Sequence, residues 1–120
     1  MCFEHLDLAS IADIGNRNTF DPVTPLSSAV AANERLGNNA RLIQQTDGWG
    51  HCTPSHPSDC TALATSKYFV DGELPVGKYT TCAVNRGPFD SDDFAPVGDH
   101  VDVLQAWREF AESTEWVLKW

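Results

Sequence analysis

An acid and a base stand in two loops of the chain at positions where they could do chemistry together. Asp21 lies in Asp-Pro-Val-Thr-Pro at 21–25, and His51 ends Gly-Trp-Gly-His at 48–51. A carboxylate can fix the tautomer of an imidazole and stabilise its protonated form, so that the imidazole can take a proton from a serine hydroxyl. Taken singly, each residue has an ordinary interpretation, because Asp-Pro often initiates a turn and a loop histidine often lies at the surface. The chemistry therefore depends on whether the fold brings the two loops together.

The first strand and helix would place the acid. Residues 8–14 are short and largely apolar, which predicts a buried strand, and a polar loop over 17–23 follows it. Thr24 and Pro25 are typical of a helix start, as N-cap and first helical residue. Gly37 is well placed to end that helix.

A second strand and helix would place the base in the same way. Residues 40–45 predict a strand that leads into the loop 46–52. Ser58 is a good N-cap for another helix, and Gly72 a good end. This alternation is typical of a parallel α/β sheet, in which functional groups gather at the carboxyl ends of the strands. We therefore expect the acid and the base to be neighbours.

The rest of the chain predicts a long loop and one more helix. Residues 71–98 are rich in Gly, Pro and Asp, which favours irregular structure. Residues 101–120 carry apolar side chains at helical spacing with charged residues between them, which predicts an amphipathic helix. Asp90, Asp92 and Asp93 lack the glycine and glutamate spacing of a calcium loop, so we interpret them as a solvated acidic face.

Composition narrows the class of partner. Apolar residues make up 42% and charged residues 21% of the 120 residues, as in ordinary globular domains. The net charge of −9 argues against binding to nucleic acid or to an anionic membrane. No apolar run is long enough to cross a membrane, and residues 1–7 lack the basic start and apolar stretch of a signal peptide.

Several stretches share their residues and spacing with one known family. They are 18–26 (NTFDPVTPL), 47–52 (DGWGHC), 58–60 (SDC), 68–75 (YFVDGELP), 77–82 (GKYTTC) and 88–89 (PF). Over residues 14–89 the chain resembles the TAP-like C-terminal domain of tripeptidyl-aminopeptidase-type serine hydrolases, the secreted enzymes of fungi and actinobacteria. The resemblance implies that Asp21 is the acid and His51 the base of a catalytic triad. It also implies a disulfide between Cys60 and Cys82.

The resemblance implies a fold as well. We expect the C-terminal portion of an α/β-hydrolase: two parallel strands with flanking helices, a long loop tail, a C-terminal amphipathic helix and an incomplete sheet. The expected division is an N-terminal remnant at 1–7, the TAP-like region at 8–89, an acidic linker at 90–100 and the amphipathic helix at 101–120. The exposed edge of such a sheet could mediate self-association. The parent family is secreted, whereas this chain shows no signal peptide.

The chain departs from the family at the nucleophile. No Gly-x-Ser-x-Gly occurs, and none of the eight serines follows the strand-turn-helix pattern of a nucleophile elbow. The loop at 15–19 also looks a residue or two longer than usual. We therefore expect a fragment that is inactive alone and acts on a peptide or ester only if the N-terminal half is supplied. No cofactor and no metal are expected.

Three alternatives compete with this interpretation. His51, Cys52, His56 and Cys60 fall within ten residues and could suggest zinc, but they do not form the two well-separated pairs typical of zinc sites. A cysteine hydrolase using Cys52 is disfavoured, because neighbouring loop residues rarely aim both side chains at one substrate atom. The third is a non-catalytic, disulfide-containing small protein derived from a hydrolase tail.

Overall fold

The computed structural model describes residues 13–53, 56–85, 89–90 and 101–113. The elements are β1 (Asp13–Phe20), α1 (Leu26–Arg35), a 3-10 turn (Gly37–Asn39), β2 (Ala40–Trp49), α2 (Asp59–Asp71), β3 (Tyr79–Cys82) and α3 (Val101–Ser113). The three strands form one parallel sheet in the order β1-β2-β3. The predicted α/β class is therefore confirmed.

The sheet has a small apolar core and an unusual number of buried polar groups. Ile14, Ile43 and Cys82 form the buried apolar cluster, and Ala64 and Tyr68 of α2 pack against it. Further along β1 the buried positions are polar. Because buried polar groups are costly without partners, these side chains need hydrogen bonds from neighbouring elements.

The first strand corrects the sequence prediction. The predicted polar loop over 17–23 is strand as far as Phe20, and residues 8–12 of the predicted strand lie outside the described residues. The reason is that Asn16, Arg17 and Asn18 are buried despite their polarity, and the two asparagine amides have partners far away in sequence. Polarity here marks a polar interior rather than an exposed loop.

The second strand is longer than predicted, and the sheet has a third strand where the sequence predicts only two. β2 continues past residue 45 to Trp49, where it pairs with Phe20. β3 lies inside the predicted loop of residues 71–98. Its four residues are mostly of types that favour strands. The sequence does not predict the strand, because Gly77 precedes it closely and four residues are too few to show an alternating pattern. Pairing with β2 and the disulfide at Cys82 stabilise it.

The helices follow their predicted end signals closely. In α2 the Ser58 hydroxyl accepts a hydrogen bond from the Thr61 N–H at 3.2 Å, and Gly72 ends the helix in the left-handed region with φ 71°. α1 begins one residue later than predicted: its N-cap is Pro25 rather than Thr24, and it has no side-chain cap. Because the proline side chain cannot accept a hydrogen bond, the first turn is stabilised by the backbone bond from the Ser28 N–H to the Pro25 carbonyl.

The last helix, α3, packs against α2. It covers residues 101–113 of the predicted helix, and residues 114–120 lie outside the described part. The predicted N-terminal remnant at 1–7 and residues 91–100 of the predicted acidic linker also lie outside it. Within the described ranges, no helix is both long and apolar enough to cross a bilayer.

Candidate functional site

The acid of the site stands in the tight turn between β1 and α1. The Asp21 side chain is fully buried. Its Oδ1 accepts hydrogen bonds from the backbone N–H groups of Val23 and Thr24, both at 2.9 Å. This is the local turn that an aspartate makes with the backbone two and three residues ahead. The carboxylate is therefore held in place by its own loop.

The base reaches that carboxylate from the next loop. Nδ1 of His51 lies 3.1 Å from both Oδ1 and Oδ2 of Asp21, although 30 residues separate the two in sequence. The backbone N–H of Cys52 donates to Oδ2 at 3.3 Å and ties the two loops together a second time. Because Nδ1 faces the acid, the lone pair available for proton transfer is on Nε2. A quarter of the His51 side chain is exposed.

The surroundings of Asp21 favour its ionised form. Burial by itself raises the pKa of a carboxyl, but here the hydrogen bonds from Thr24, Val23, His51 and Cys52 outweigh it, so that the pKa of Asp21 lies below its usual value. An ionised acid beside Nδ1 keeps a proton on that nitrogen. This is the electrostatic state that a histidine general base requires.

Unusual backbone geometry surrounds the base. Gly50 has φ 94° and Cys52 has φ 65°, so that the residues on both sides of His51 lie in the left-handed region. Gly50 tolerates this freely, whereas the conformation costs Cys52 roughly 1–2 kcal/mol. The bond from its N–H to Asp21 offsets part of that cost. The strain therefore lies beside the histidine, as at many functional sites.

Two buried amides that the sequence did not single out support the same loop. Asn18 donates to the carbonyls of Gly50 and Cys52, and Gln45 donates to Asn18. The sequence predicts an ordinary position for each of them, a polar loop for Asn18 and the end of a strand for Gln45. The signal that the sequence offers is their position, since Asn18 lies shortly before Asp21 and Gln45 shortly before His51.

The cysteines of this region are all oxidised. Cys60 and Cys82 form a disulfide with a Cα–Cα distance of 5.5 Å, the pairing that the resemblance implies. Cys52 is also disulfide-bonded. Neither Cys52 nor Cys60 can therefore offer a thiolate to zinc, and Cys52 cannot act as a nucleophile in this state. Among the described residues no group of three or more potential ligands is placed to hold a metal ion.

The comparison with protein families identifies the family of the chain. The family model described as TAP-like protein matches residues 17–82, which is more than half of the chain. The chain belongs to the TAP-like family of α/β-hydrolases. The matched part of this TAP-like chain contains both Asp21 and His51 and ends at Cys82. No curated protein and no solved structure gave a significant match.

Proposed function

We propose that Asp21 and His51 are the acid and the base of a serine-hydrolase triad that cleaves peptide or ester bonds. The observation that carries the proposal is the contact of Nδ1 with both carboxylate oxygens at 3.1 Å. The acid is buried and held by three backbone N–H groups. A turn-initiating aspartate near a surface histidine would need no such arrangement.

The chemistry follows from the orientation of the ring. Nε2 of His51 removes the proton from a serine hydroxyl as its oxygen attacks the substrate carbonyl, and Asp21 stabilises the imidazolium. The same Nε2 then gives that proton to the departing amine or alkoxide, leaving an acyl-enzyme. His51 then takes a proton from a water molecule as its oxygen attacks the acyl-enzyme, and returns that proton to the serine oxygen as the acid product leaves. General acid–base catalysis of this kind contributes about 10²- to 10⁴-fold in rate.

The serine is proposed to come from polypeptide outside these 120 residues, so that the chain alone does not turn over substrate. The support is that the sequence contains no Gly-x-Ser-x-Gly. Within the described part, β1 pairs on one edge only, with β2. The buried Arg17 has no hydrogen-bond partner for Nε and Nη1 there. A buried guanidinium requires an acceptor, and added polypeptide could provide one.

The test is complementation of a TAP-like hydrolase from which the region corresponding to residues 17–82 has been deleted. We expect aminoacyl or tripeptidyl p-nitroanilide hydrolysis when the chain is added or fused, and at least a 10³-fold loss with His51→Ala. His56→Asn is the matched control, because the asparagine can still accept the Trp49 N–H that His56 Nδ1 accepts at 2.9 Å. Equal activity of His51→Ala and wild type would refute the assignment, as would turnover by the isolated chain that His51→Ala abolishes.

A non-catalytic protein stabilised by disulfides is the second candidate, favoured by the missing nucleophile motif and the Cys60–Cys82 bridge. The two functions differ in what happens at the edge of β1 that faces away from β2, which is unpaired within the described residues. A component of a larger sheet should self-associate through that edge or bind added polypeptide, whereas an independent small protein should stay monomeric. Light scattering over a hundredfold range of concentration separates them.

A further inference from the structure

We propose that Asn18 is the positioning residue of the base: its buried amide holds the loop that carries His51 against Asp21. The inference rests on the proposed function only for its catalytic consequence, because the contacts themselves do not depend on it. Asn18 is fully buried, and its Nδ2 lies 3.0 Å from the Gly50 carbonyl and 2.8 Å from the Cys52 carbonyl. These two carbonyls flank His51 in sequence. One amide group therefore holds the backbone on both sides of the base.

A second amide fixes the orientation of the first. Nε2 of Gln45, which is also fully buried, donates to Oδ1 of Asn18 at 2.8 Å. Since the Asn18 oxygen accepts from Gln45, its nitrogen must face the loop. The same Gln45 nitrogen lies 3.3 Å from the His56 carbonyl and 3.4 Å from the Thr53 carbonyl. The amide pair thus reaches the loop before and after the base.

The strand register makes room for this arrangement. Asn18 pairs with Gln45, but the next pair is Phe20 with Trp49, so that two steps along β1 correspond to four along β2. The extra residues include Gly48, which is buried and whose φ is not positive. A Cβ at this position would stand 2.3 Å from Oδ1 and 2.8 Å from Cγ of Asn18. Gly48 is therefore required by the close approach of the amide and not by a turn.

The consequence for the base is geometric. Cys52 adopts its left-handed conformation with its N–H on Asp21 and its carbonyl on Asn18. If the amide donors are removed, both flanking carbonyls lose these hydrogen bonds in a partly buried site, and the loop should shift so that water can replace them. Nδ1 of His51 then loses its fixed position beside the carboxylate. Asn18 does not face the reacting atoms, so its role is to position the base.

The experiment uses nitrogen-15 NMR of the histidine side chains in the purified chain. Wild type should show His51 as the Nδ1–H tautomer with a proton protected from solvent exchange by Asp21. Asn18→Asp, which keeps the shape but loses the donors, and Asn18→Ala should both lose this protected proton. Asn16→Ala is the matched control: Asn16 lies on the same strand and is equally buried, but its Nδ2 donates to Thr65 of α2. It should leave the His51 signal unchanged.

A double variant separates positioning from stability. Gly48→Ala should lower the urea midpoint and remove the His51 signal, because its new methyl group displaces Asn18. In Gly48→Ala/Asn18→Ala the two atoms closest to the new methyl group are gone. The urea midpoint should therefore return most of the way to the wild-type value, while the His51 signal stays absent. A return of that signal would show that crowding, and not the lost donors, controls the base.

The outcomes also distinguish the two proposals. A protected proton that survives in both Asn18 variants, or that disappears equally in Asn16→Ala, overturns the positioning role and leaves the acid–base pair intact. A wild-type chain without that proton overturns the pair and the positioning role together. In the complemented enzyme, Asn18→Ala should lower kcat at least tenfold with KM unchanged, whereas a matching loss with Asn16→Ala contradicts the assignment.

Discussion

The loop that carries Asp21 and the loop that carries His51 are held in opposite ways. The acid sits in a five-residue connection between β1 and α1, and its own carboxylate binds the N–H groups of the next residues. The base sits in the longer connection between β2 and α2, whose carbonyls bind side chains of other elements. The first loop is determined by its local sequence and the second by the fold around it.

This difference predicts different responses to perturbation. Local bonds in the Asp21 loop should survive partial loosening of the sheet, because they join residues two and three apart. The His51 loop should open whenever β1, β2 or the start of α2 shifts. Hydrogen exchange at the N–H groups of Val23, Thr24 and Cys52 measures the two loops separately. The four predictions below use this contrast, from the largest expected effect to the smallest.

Removing the Cys60–Cys82 disulfide should have the largest effect. The bridge joins residues 22 apart and anchors the start of α2, just after the His51 loop, to β3. Cys60→Ala/Cys82→Ala should lower the free energy of unfolding by about 3 kcal/mol. The Cys52 N–H should lose protection while Val23 and Thr24 retain theirs. Equal loss at all three N–H groups would contradict the distinction between the loops.

Substitution of the α2 cap comes second. The Ser58 hydroxyl accepts from Thr61 N–H and donates to the Ala83 carbonyl at 2.8 Å, so that it joins the end of the His51 loop to the chain after β3. Ser58→Ala should cost about 2 kcal/mol, because it removes both the helix cap and the hydrogen bond to the Ala83 carbonyl. Ser66→Ala, within the same helix, serves as the control. The urea midpoints of Ser58→Ala and Ser66→Ala are compared. Equal midpoints would show that the Ser58 cap does not contribute to stability.

Neutralising the acid should have a smaller effect with a distinct pH dependence. Asp21→Asn should cost about 1.5 kcal/mol at pH 7, because bonds to a charged acceptor become bonds to a neutral one. The pKa of Asp21 is lowered in the folded chain, so its contribution is present above the unfolded value near 4 and is lost as pH falls through the lower folded value.

Urea midpoints between pH 2 and 7 measure this contribution. The difference between wild type and Asp21→Asn should shrink as the solution is acidified below about pH 4. Asp71→Asn, at the exposed end of α2, removes one negative charge outside the site and serves as the control. A difference that grows on acidification would contradict a lowered pKa of Asp21 in the folded chain.

An ion pair outside both loops should have the smallest effect. Nζ of Lys67 and Oε1 of Glu73 are 3.9 Å apart, and both side chains are more than half exposed. Solvent screens such a pair, so Lys67→Ala should change the free energy of unfolding by less than about 0.5 kcal/mol. Protection in both loops should stay at the wild-type level. A larger change would reveal a coupling between α2 and the loops that their contacts do not suggest.

The contrast also explains which parts of the fold were predictable from the sequence. Ser58 and Gly72 bound α2, and Asp21 forms its turn with its immediate neighbours, so that each is visible as a local pattern. The proximity of Asp21 and His51 was expected from the predicted alternation of strands and helices together with the family resemblance. Asn18 was not predictable, since the two loop carbonyls that it binds lie more than 30 residues away. β3 was missed because its support comes from β2 and Cys60 rather than from its own four residues.

The space beside Gly48 has an evolutionary consequence. Because a Cβ at position 48 and the amide at position 18 would occupy the same volume, position 48 cannot gain a side chain while position 18 remains an asparagine. Relatives that keep an asparagine at position 18 should keep glycine at 48. Relatives with a larger residue at 48 should carry a small residue at 18 and support the histidine loop by other means. Substitutions at these two positions should therefore appear as a correlated pair across the family.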